Sequence, residues 1–332
     1  MKILVFLEKA SVRGGIEIFA ERHVARLRAE GHAVEVVSTF DGRQATTGGY
    51  DEIIIHKCSE VATLEMFPPE KVTYYVHDHE PICPRTYAYT PFRHNCTRPS
   101  GVWPCLFCAP VCRAWKTALG RVFAQARRKR AMARFQKIVV ISEFMKSRLV
   151  ANGIPAGIIV VEPPPRQSTV DSRQPPCDVR HATGATVDLL FVGQLVRGKG
   201  VQLLLEAMAR MKTARTLDVV GTGNMEPALK TQAERLGLAG RIRWHGFQTN
   251  PQDWMRAAAC VVVPSFWQEP YGLVAAEAVA LGRKVVAFAI GGLPEACQGK
   301  ATLVPPGDIA ALAHALETSG TAESNQTHRK DE

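Results

Sequence analysis

Two glutamates with seven residues between them, Glu269 and Glu277, are the residues of this chain whose type and spacing point most directly to chemistry. They lie in the stretch 261–295, VVVPSFWQEPYGLVAAEAVALGRKVVAFAIGGLPE. Val261-Val262-Val263 is short and β-branched enough for a buried strand, and Pro264 and Ser265 stop it. Glu269-Pro270 reads as a helix entrance, with Pro at the first helical position, where its missing N–H costs nothing. Leu273, Val274, Ala276, Glu277, Ala280 and Leu281 continue at helical spacing until Gly282, and a second apolar strand follows over 285–290. A helix N-terminus carries unpaired N–H groups and partial positive charge, so the amides near Gly272 and Leu273 are placed to receive a phosphate. Two readings of the carboxylates stand side by side. They border an anion site, or Glu269 caps the helix while Glu277 pairs with a neighbouring Arg or Lys.

The E-x7-E spacing inside PSFWQEPYGLVAAEAVALGRKVVA resembles the motif of glycosyltransferase family 4, retaining sugar transferases of the GT-B fold. GGIE at 14–17, FVGQLVRGKG at 191–200, VVGTG at 219–223, GGLPE at 291–295 and LVPPGD at 303–308 fall in the family's order. The resemblance covers most of 1–317 and is strongest after Leu189. It implies an α/β protein of the GT-B fold, two Rossmann-like βαβ domains facing across a cleft. It also implies transfer of a sugar from a nucleotide-sugar donor to a glycan or lipid-linked acceptor, in cell-surface polysaccharide or glycolipid biosynthesis.

Carried onto this sequence, the resemblance assigns Glu269 to the donor sugar's hydroxyls and Glu277 to the ribose. Lys199 is assigned to the diphosphate, Gly15 lies against it, and Gly246-Phe247 lies near the base. Gln194 stands where the family has an Arg; it can donate a hydrogen bond but carries no charge, and Arg197 follows three residues on. His77 of His77-Asp78 matches a histidine that contacts the sugar. Retention in the family is attributed to front-face attack, with a donor phosphate oxygen taking the acceptor's proton. No protein nucleophile is then required, and in this fold a divalent metal is usually unnecessary, so no cofactor is expected for catalysis. Two other functions remain open, a nucleotide-sugar epimerase of the same fold and a catalytically weak nucleotide-sugar-binding protein.

Elements that must position these residues alternate along the chain. Lys2–Leu7 reads as a strand, 16–29 as a helix and 33–38 as a second strand, with Gly14-Gly15 just before the helix as in a nucleotide-binding βαβ start. Further strands are expected at 52–56, 72–77 and 137–142. Pro163-Pro164-Pro165 and the polar run behind it break the pattern, so 163–186 reads as a linker between a domain over 1–162 and one over 187–317. The second domain alternates strand 188–193, helix 201–211, strand 216–220, helix 225–236 and strand 242–245, which argues for parallel sheets covered by helices. Residues 318–332 are polar and are expected to be disordered.

Cysteines cluster at Cys83, Cys96, Cys105, Cys108 and Cys112, interleaved with His77, His79 and His94. Cys105-x-x-Cys108 has the spacing of half a structural zinc site, which Cys83 and Cys96 would complete. The other reading is a set of unligated thiols in the insert 81–112. Hydrophobic content of 46% with 22% charged residues is that of a globular protein, and no apolar run approaches the roughly 18–20 residues of a spanning helix. MKILVFLEKASVRGG reads as a first strand rather than a signal peptide, and the expected location is cytoplasmic, peripheral on the inner face of the cytoplasmic membrane. The net charge of +10 is concentrated over 113–148, where eleven Lys or Arg face the single acid Glu143. Such a stretch suits an anionic membrane surface; no nucleic-acid module accompanies it.

Overall fold

The computed structural model describes residues 1–8, 15–38, 49–83, 88, 95–101, 105, 108, 115–164 and 187–319. Its contacts divide the chain into two units, Met1–Pro164 and Pro165–Glu332. Of the expected linker over 163–186, residues 165–186 lie outside the described residues, as do 320–332 of the tail expected over 318–332; Thr318 instead closes the last helix.

The first unit is built from β1 (Lys2–Leu7), α1 (Gly15–Ala29), β2 (Ala33–Val37), β3 (Glu52–Lys57), α2 (Val61–Glu65), β4 (Val72–Val76), α3 (Trp115–Met132), β5 (Lys137–Val140), α4 (Glu143–Ala151) and β6 (Ile159–Val161). All its strand pairs are parallel, in the order β2-β1-β3-β4-β5-β6. Runs such as Ile53-Ile54-Ile55 are buried on both sheet faces, which is why they read as unbroken apolar stretches rather than alternating ones. Ser142 opens α4, its Oγ accepting the Met145 amide at 3.0 Å, a cap contributing about 1 kcal/mol.

Part of the basic stretch is committed to this unit's own fold. Arg127 pairs with Glu65 and Arg128 with Glu80 and the Ser59 carbonyl; Lys129 donates to the Ser100 carbonyl and Lys137 to Glu162. Arg148 donates to the Thr97 and Cys96 carbonyls. These contacts tie α3 and α4 to segments with little apolar periodicity of their own. Charge that reads from sequence as one patch is thus partly used as internal cross-links. Exposed Phe123, Arg130 and Arg134 lie on one face of α3 and just past its end. No helix of the described residues is long and apolar enough to cross a membrane.

The second unit contains β7 (Val187–Val192), α5 (Val201–Arg210), β8 (Leu217–Val220), α6 (Glu226–Arg235), β9 (Ile242–Gly246), α7 (Pro251–Ala257), β10 (Ala258–Val263), α8 (Leu273–Ala280), β11 (Lys284–Phe288), α9 (Leu293–Cys297), β12 (Thr302–Val304) and α10 (Ile309–Thr318). Its sheet is also parallel throughout, in the order β12-β11-β10-β7-β8-β9. The chain starts at the centre with β7, runs outward to β9, then returns to β10 on the other side of β7. Loops leaving the carboxyl ends of β7 and β10 therefore diverge, which makes a switch point, the usual ligand site of an open α/β sheet. In the first unit the same reversal falls between β1 and β3.

Candidate functional site

The switch point of the second unit holds residues 193–200 after β7 and 264–272 after β10. These loops interlock through glycine. A Cβ on Gly200, whose φ is +76°, would lie 1.8 Å from the Pro264 carbonyl oxygen, and one on Gly198 would lie 2.4 Å from the Trp267 ring. The Phe266 amide donates to the Gly198 carbonyl at 3.1 Å. Only side chains without a Cβ let the two backbones come this close.

Across that contact Lys199 Nζ meets Glu269 Oε1 at 2.6 Å. Ser265 Oγ donates to the same oxygen at 2.7 Å and Trp267 Nε1 at 2.9 Å. The Trp267 ring also lies under the Lys199 ammonium, 5.3 Å from its centroid. Glu269 is 7% exposed. Burial by itself pushes its carboxyl up, but the Lys199 charge and the three hydrogen bonds outweigh it and hold Glu269 below the usual carboxylate value. All three donors converge on Oε1; among the described residues none reaches Oε2.

Glu269 is not a helix cap. The helix starts at Leu273, after Gly272 with φ +108°, and not at Pro270. A Cβ at Gly272 would overlap Leu293 at 2.4 Å, so close packing against α9 delays the helix by one turn. Glu269 and Pro270 consequently remain in the loop, where the Gly292 amide holds the Glu269 carbonyl at 2.8 Å. Leu273 is exposed at the helix start, and Glu277, half-buried one turn on, accepts a hydrogen bond from Gln252 Nε2 at 3.2 Å. Gln194 and Arg197 are exposed in the β7 loop. Gly246 ends β9 on the same strand-end side, its carbonyl accepting the Gly221 amide at 2.7 Å. That end is anchored by Asp218, fully buried, which accepts from Arg243 Nε at 2.7 Å and Nη2 at 2.6 Å and lies 2.7 Å from His245 Nε2. Ser265, Trp267 and Gln252 were not expected from the sequence; the first two sit inside the E-x7-E segment, whereas nothing local marks Gln252.

His77 belongs to the first unit, directly after β4, and is half-buried. Gly15 is the first residue of α1; Gly14 lies outside the described residues. Asp78 Oδ1 accepts the Glu80 amide at 2.8 Å, yet burial, aided by the Glu80 charge, pushes Asp78 up to about 6. An acid whose folded pKa is raised binds its proton more firmly when folded, so stability falls as pH rises from about 4 through about 6. Asp78→Asn keeps the acceptor without the charge. It is expected to stabilise the protein by about 2 kcal/mol at pH 8 and by little at pH 4, as read by urea unfolding at both. Equal effects at the two pH values would rule out a destabilising ionisation here.

The cysteines give a different result. Among the described residues no three His, Cys, Asp or Glu side chains gather into a set able to hold a metal. Cys83, Cys96, Cys105 and Cys108 are described, whereas Cys112 and His94 lie outside. The structural-zinc expectation therefore rests on sequence spacing alone.

Comparison with known proteins bears on the second unit first. Residues 186–319 match the family model described as Glycosyl transferases group 1. A D-inositol 3-phosphate glycosyltransferase of Streptomyces griseus is 41% identical over 121 residues, 32% of this chain and 25% of that protein. A glycogen synthase of Mycobacterium tuberculosis is 35% identical over 156 residues, 45% of this chain and 37% of that protein. The alignments thus span well under half the length of these curated relatives. Solved structures extend the likeness in fold to both units. Anabaena HepE in complex with UDP superposes with a TM-score of 0.67 at 20% identity, covering 96% of this chain and 89% of that one. Sucrose-phosphate synthase of Thermosynechococcus elongatus gives a TM-score of 0.67 at 20% identity, with 96% and 89% covered. The chain thus has the fold of the GT-B glycosyltransferases, and its second unit carries the sequence pattern of their group 1.

Proposed function

We propose that this chain is a retaining glycosyltransferase that moves a hexose-type sugar from a nucleotide-sugar donor to a glycan or lipid-linked acceptor, in the assembly of cell-surface polysaccharide or glycolipid. The observation that carries this reading is the Lys199–Glu269 pair at the switch point of the second sheet, inside the residues that match the group 1 model. A lysine ammonium has three N–H groups, and Glu269 uses one of them. The other two serve a diphosphate, together with the first amides of α8 behind Gly272. As the C1–O bond of the donor breaks, its electron pair leaves on the diphosphate, and these fixed positive groups stabilise that charge. Glu269, held by three donors on one oxygen, offers the other to a sugar hydroxyl. Glu277 is assigned to the ribose and the end of β9 at Gly246 to the base, with Gln194 and Arg197 beside the phosphates. The acceptor oxygen attacks on the face from which the diphosphate departs, and its proton passes to a phosphate oxygen. No protein nucleophile is used.

Crystals of HepE with UDP and with UDP-glucose support a nucleotide-sugar as the donor class. The exposed Phe123 with Arg130 and Arg134 supports an acceptor met at an anionic membrane surface. A thermal-shift panel of nucleoside diphosphates and their sugars tests the reading, followed by release of free nucleotide from the best binder. At a hundredfold excess over Kd, the correct diphosphate is expected to stabilise the second unit by about 2.7 kcal/mol. A panel in which no compound raises the melting temperature would sink it.

A further inference from the structure

Three histidines of the first unit form a continuous hydrogen-bonded chain. His23 comes from the middle of α1, His56 from β3 and His77 from the end of β4. His23 Nδ1 lies 3.1 Å from His56 Nε2, and His56 Nδ1 lies 3.1 Å from His77 Nε2. Phe19 and Tyr75 wall the chain. The Phe19 ring lies 5.0 Å from that of His77 and 5.7 Å from that of His56, and Tyr75 lies 4.8 Å from His56 and 4.9 Å from His23. His56 is 2% exposed and His23 7%. The outer ring, His23, is flanked by Arg26 on its own helix, by Glu30 just past that helix's end, and by Lys137 and Glu162 from the β5–β6 side. Packing alone would be served as well by three apolar rings, and polar rings this deep require partners.

Both links join Nδ1 of one ring to Nε2 of the next, so the chain runs head to tail. A neutral imidazole carries one hydrogen. If His56 bears it on Nδ1, it donates to His77, accepts from His23, and all three rings are Nδ1–H. If His56 bears it on Nε2, the direction reverses and all three are Nε2–H. No other neutral arrangement satisfies both links. The first state presents an N–H at His77 Nδ1; the second presents a lone pair there.

We propose that His23, His56 and His77 act as one proton relay, with His23 and His56 as positioning residues that set the proton state His77 presents. Starting from the Nε2–H state, His77 Nδ1 takes up a proton and passes its Nε2 proton to His56 Nδ1. His56 passes its own to His23 Nδ1, and His23 releases one from Nε2. One proton enters, one leaves, no electron moves, and the chain ends neutral in the Nδ1–H state. Burial disfavours the charged form of each ring, which suits a relay that holds no lasting charge. The use made of the relay, setting whether His77 Nδ1 donates to or accepts from a hydroxyl of the bound sugar, rests on the glycosyltransferase reading and leaves the acceptor's own proton to the phosphate; the coupling of the three rings rests on neither.

Long-range proton–nitrogen spectra of the full chain with 15N-labelled histidine read the tautomers directly. At pH 7.5 the three rings are expected to share one tautomer at any moment. A His77 tautomer opposite to that of His56 would overturn the proposal, since one link would then hold two hydrogens or none. His23→Gln can still hydrogen-bond but cannot relay. Its kcat is expected to fall about tenfold with the donor KM unchanged; turnover within twofold of the unaltered chain would overturn the relay. An unaltered chain that binds no nucleotide sugar would refute the transferase reading and leave the tautomer result to decide the coupling.

Discussion

Lys199→Ala is expected to lower the stability of the second unit by about 2–4 kcal/mol and to weaken nucleoside-diphosphate binding by about 10–100-fold. The stability loss comes from what remains behind. Glu269 is buried and keeps only Ser265 and Trp267 as donors once the ammonium has gone. Breaking a fully buried pair costs about 3–5 kcal/mol; the Lys199 side chain here is 25% exposed, so water recovers part of that. Removing both partners, in Lys199→Ala with Glu269→Gln, is expected to restore about 2 kcal/mol relative to the single variant, because no unpaired charge is left inside. Urea unfolding gives the stabilities and calorimetry with UDP the affinity. If the lysine variant proved as stable as the parent and bound UDP equally well, neither the pairing nor the phosphate role would survive. The wild-type sign is also defined. The Glu269 carboxyl is held low when folded, so its contribution is present above the ordinary carboxylate range and is lost as pH falls through the folded value.

Acid is expected to destabilise the first unit through its buried histidines. Burial holds His23 and His77 down at about 4 and His56 at about 2, against 6.5 for a free imidazole. Between those values the unfolded chain binds protons that the folded one does not. Stability is therefore complete above pH 6.5 and falls as pH drops toward 4. Each ring contributes a limiting slope of about 1.4 kcal/mol per pH unit, so the three together reach about 4 kcal/mol per unit. Asp78 opposes this, gaining stability as pH falls from about 6, but with one group against three it offsets at most about a third. Unfolding midpoints measured from pH 7.5 to 5 should fall steeply, and His56→Phe should flatten the slope by about 1.4 kcal/mol per unit. A flat profile across that range would mean that the histidines are not buried as a neutral chain.

Much of the site was legible because its signals are local. Val261–Val263, Leu189–Val192 and Val219–Val220 are β-branched or apolar runs followed by turn residues, and each is a strand of the second sheet. The order of motifs pointed to the GT-B fold, and Lys199 and Glu269 were singled out separately. The start of the helix after Glu269 was misjudged because Pro270 is an acceptable first helical residue by local rules. What moved the start to Leu273 was Leu293, twenty residues further on, packed where a Cβ on Gly272 would have to go. The basic stretch shows the same dependence on partners distant in sequence. A run of arginines looks solvated until Glu65, Glu80 and the Ser100 and Thr97 carbonyls are seen to take them up.

Alone, the amino-acid sequence determined the alternation of strands and helices, the apolar character that buries both sheets, and the residue types able to hold a phosphate and a sugar. Those follow from periodicities of two and 3.6 residues, which are properties of neighbouring positions. Tertiary structure decided which of these residues meet. Lys199 and Glu269 are 70 positions apart and become a pair only because β10 returns to lie beside β7. His23, His56 and His77 share no spacing at all, and they form a chain because α1 packs over the ends of β3 and β4. A parallel crossover joins residues according to strand order rather than distance along the chain, so contacts of this kind are fixed only once the sheet is assembled.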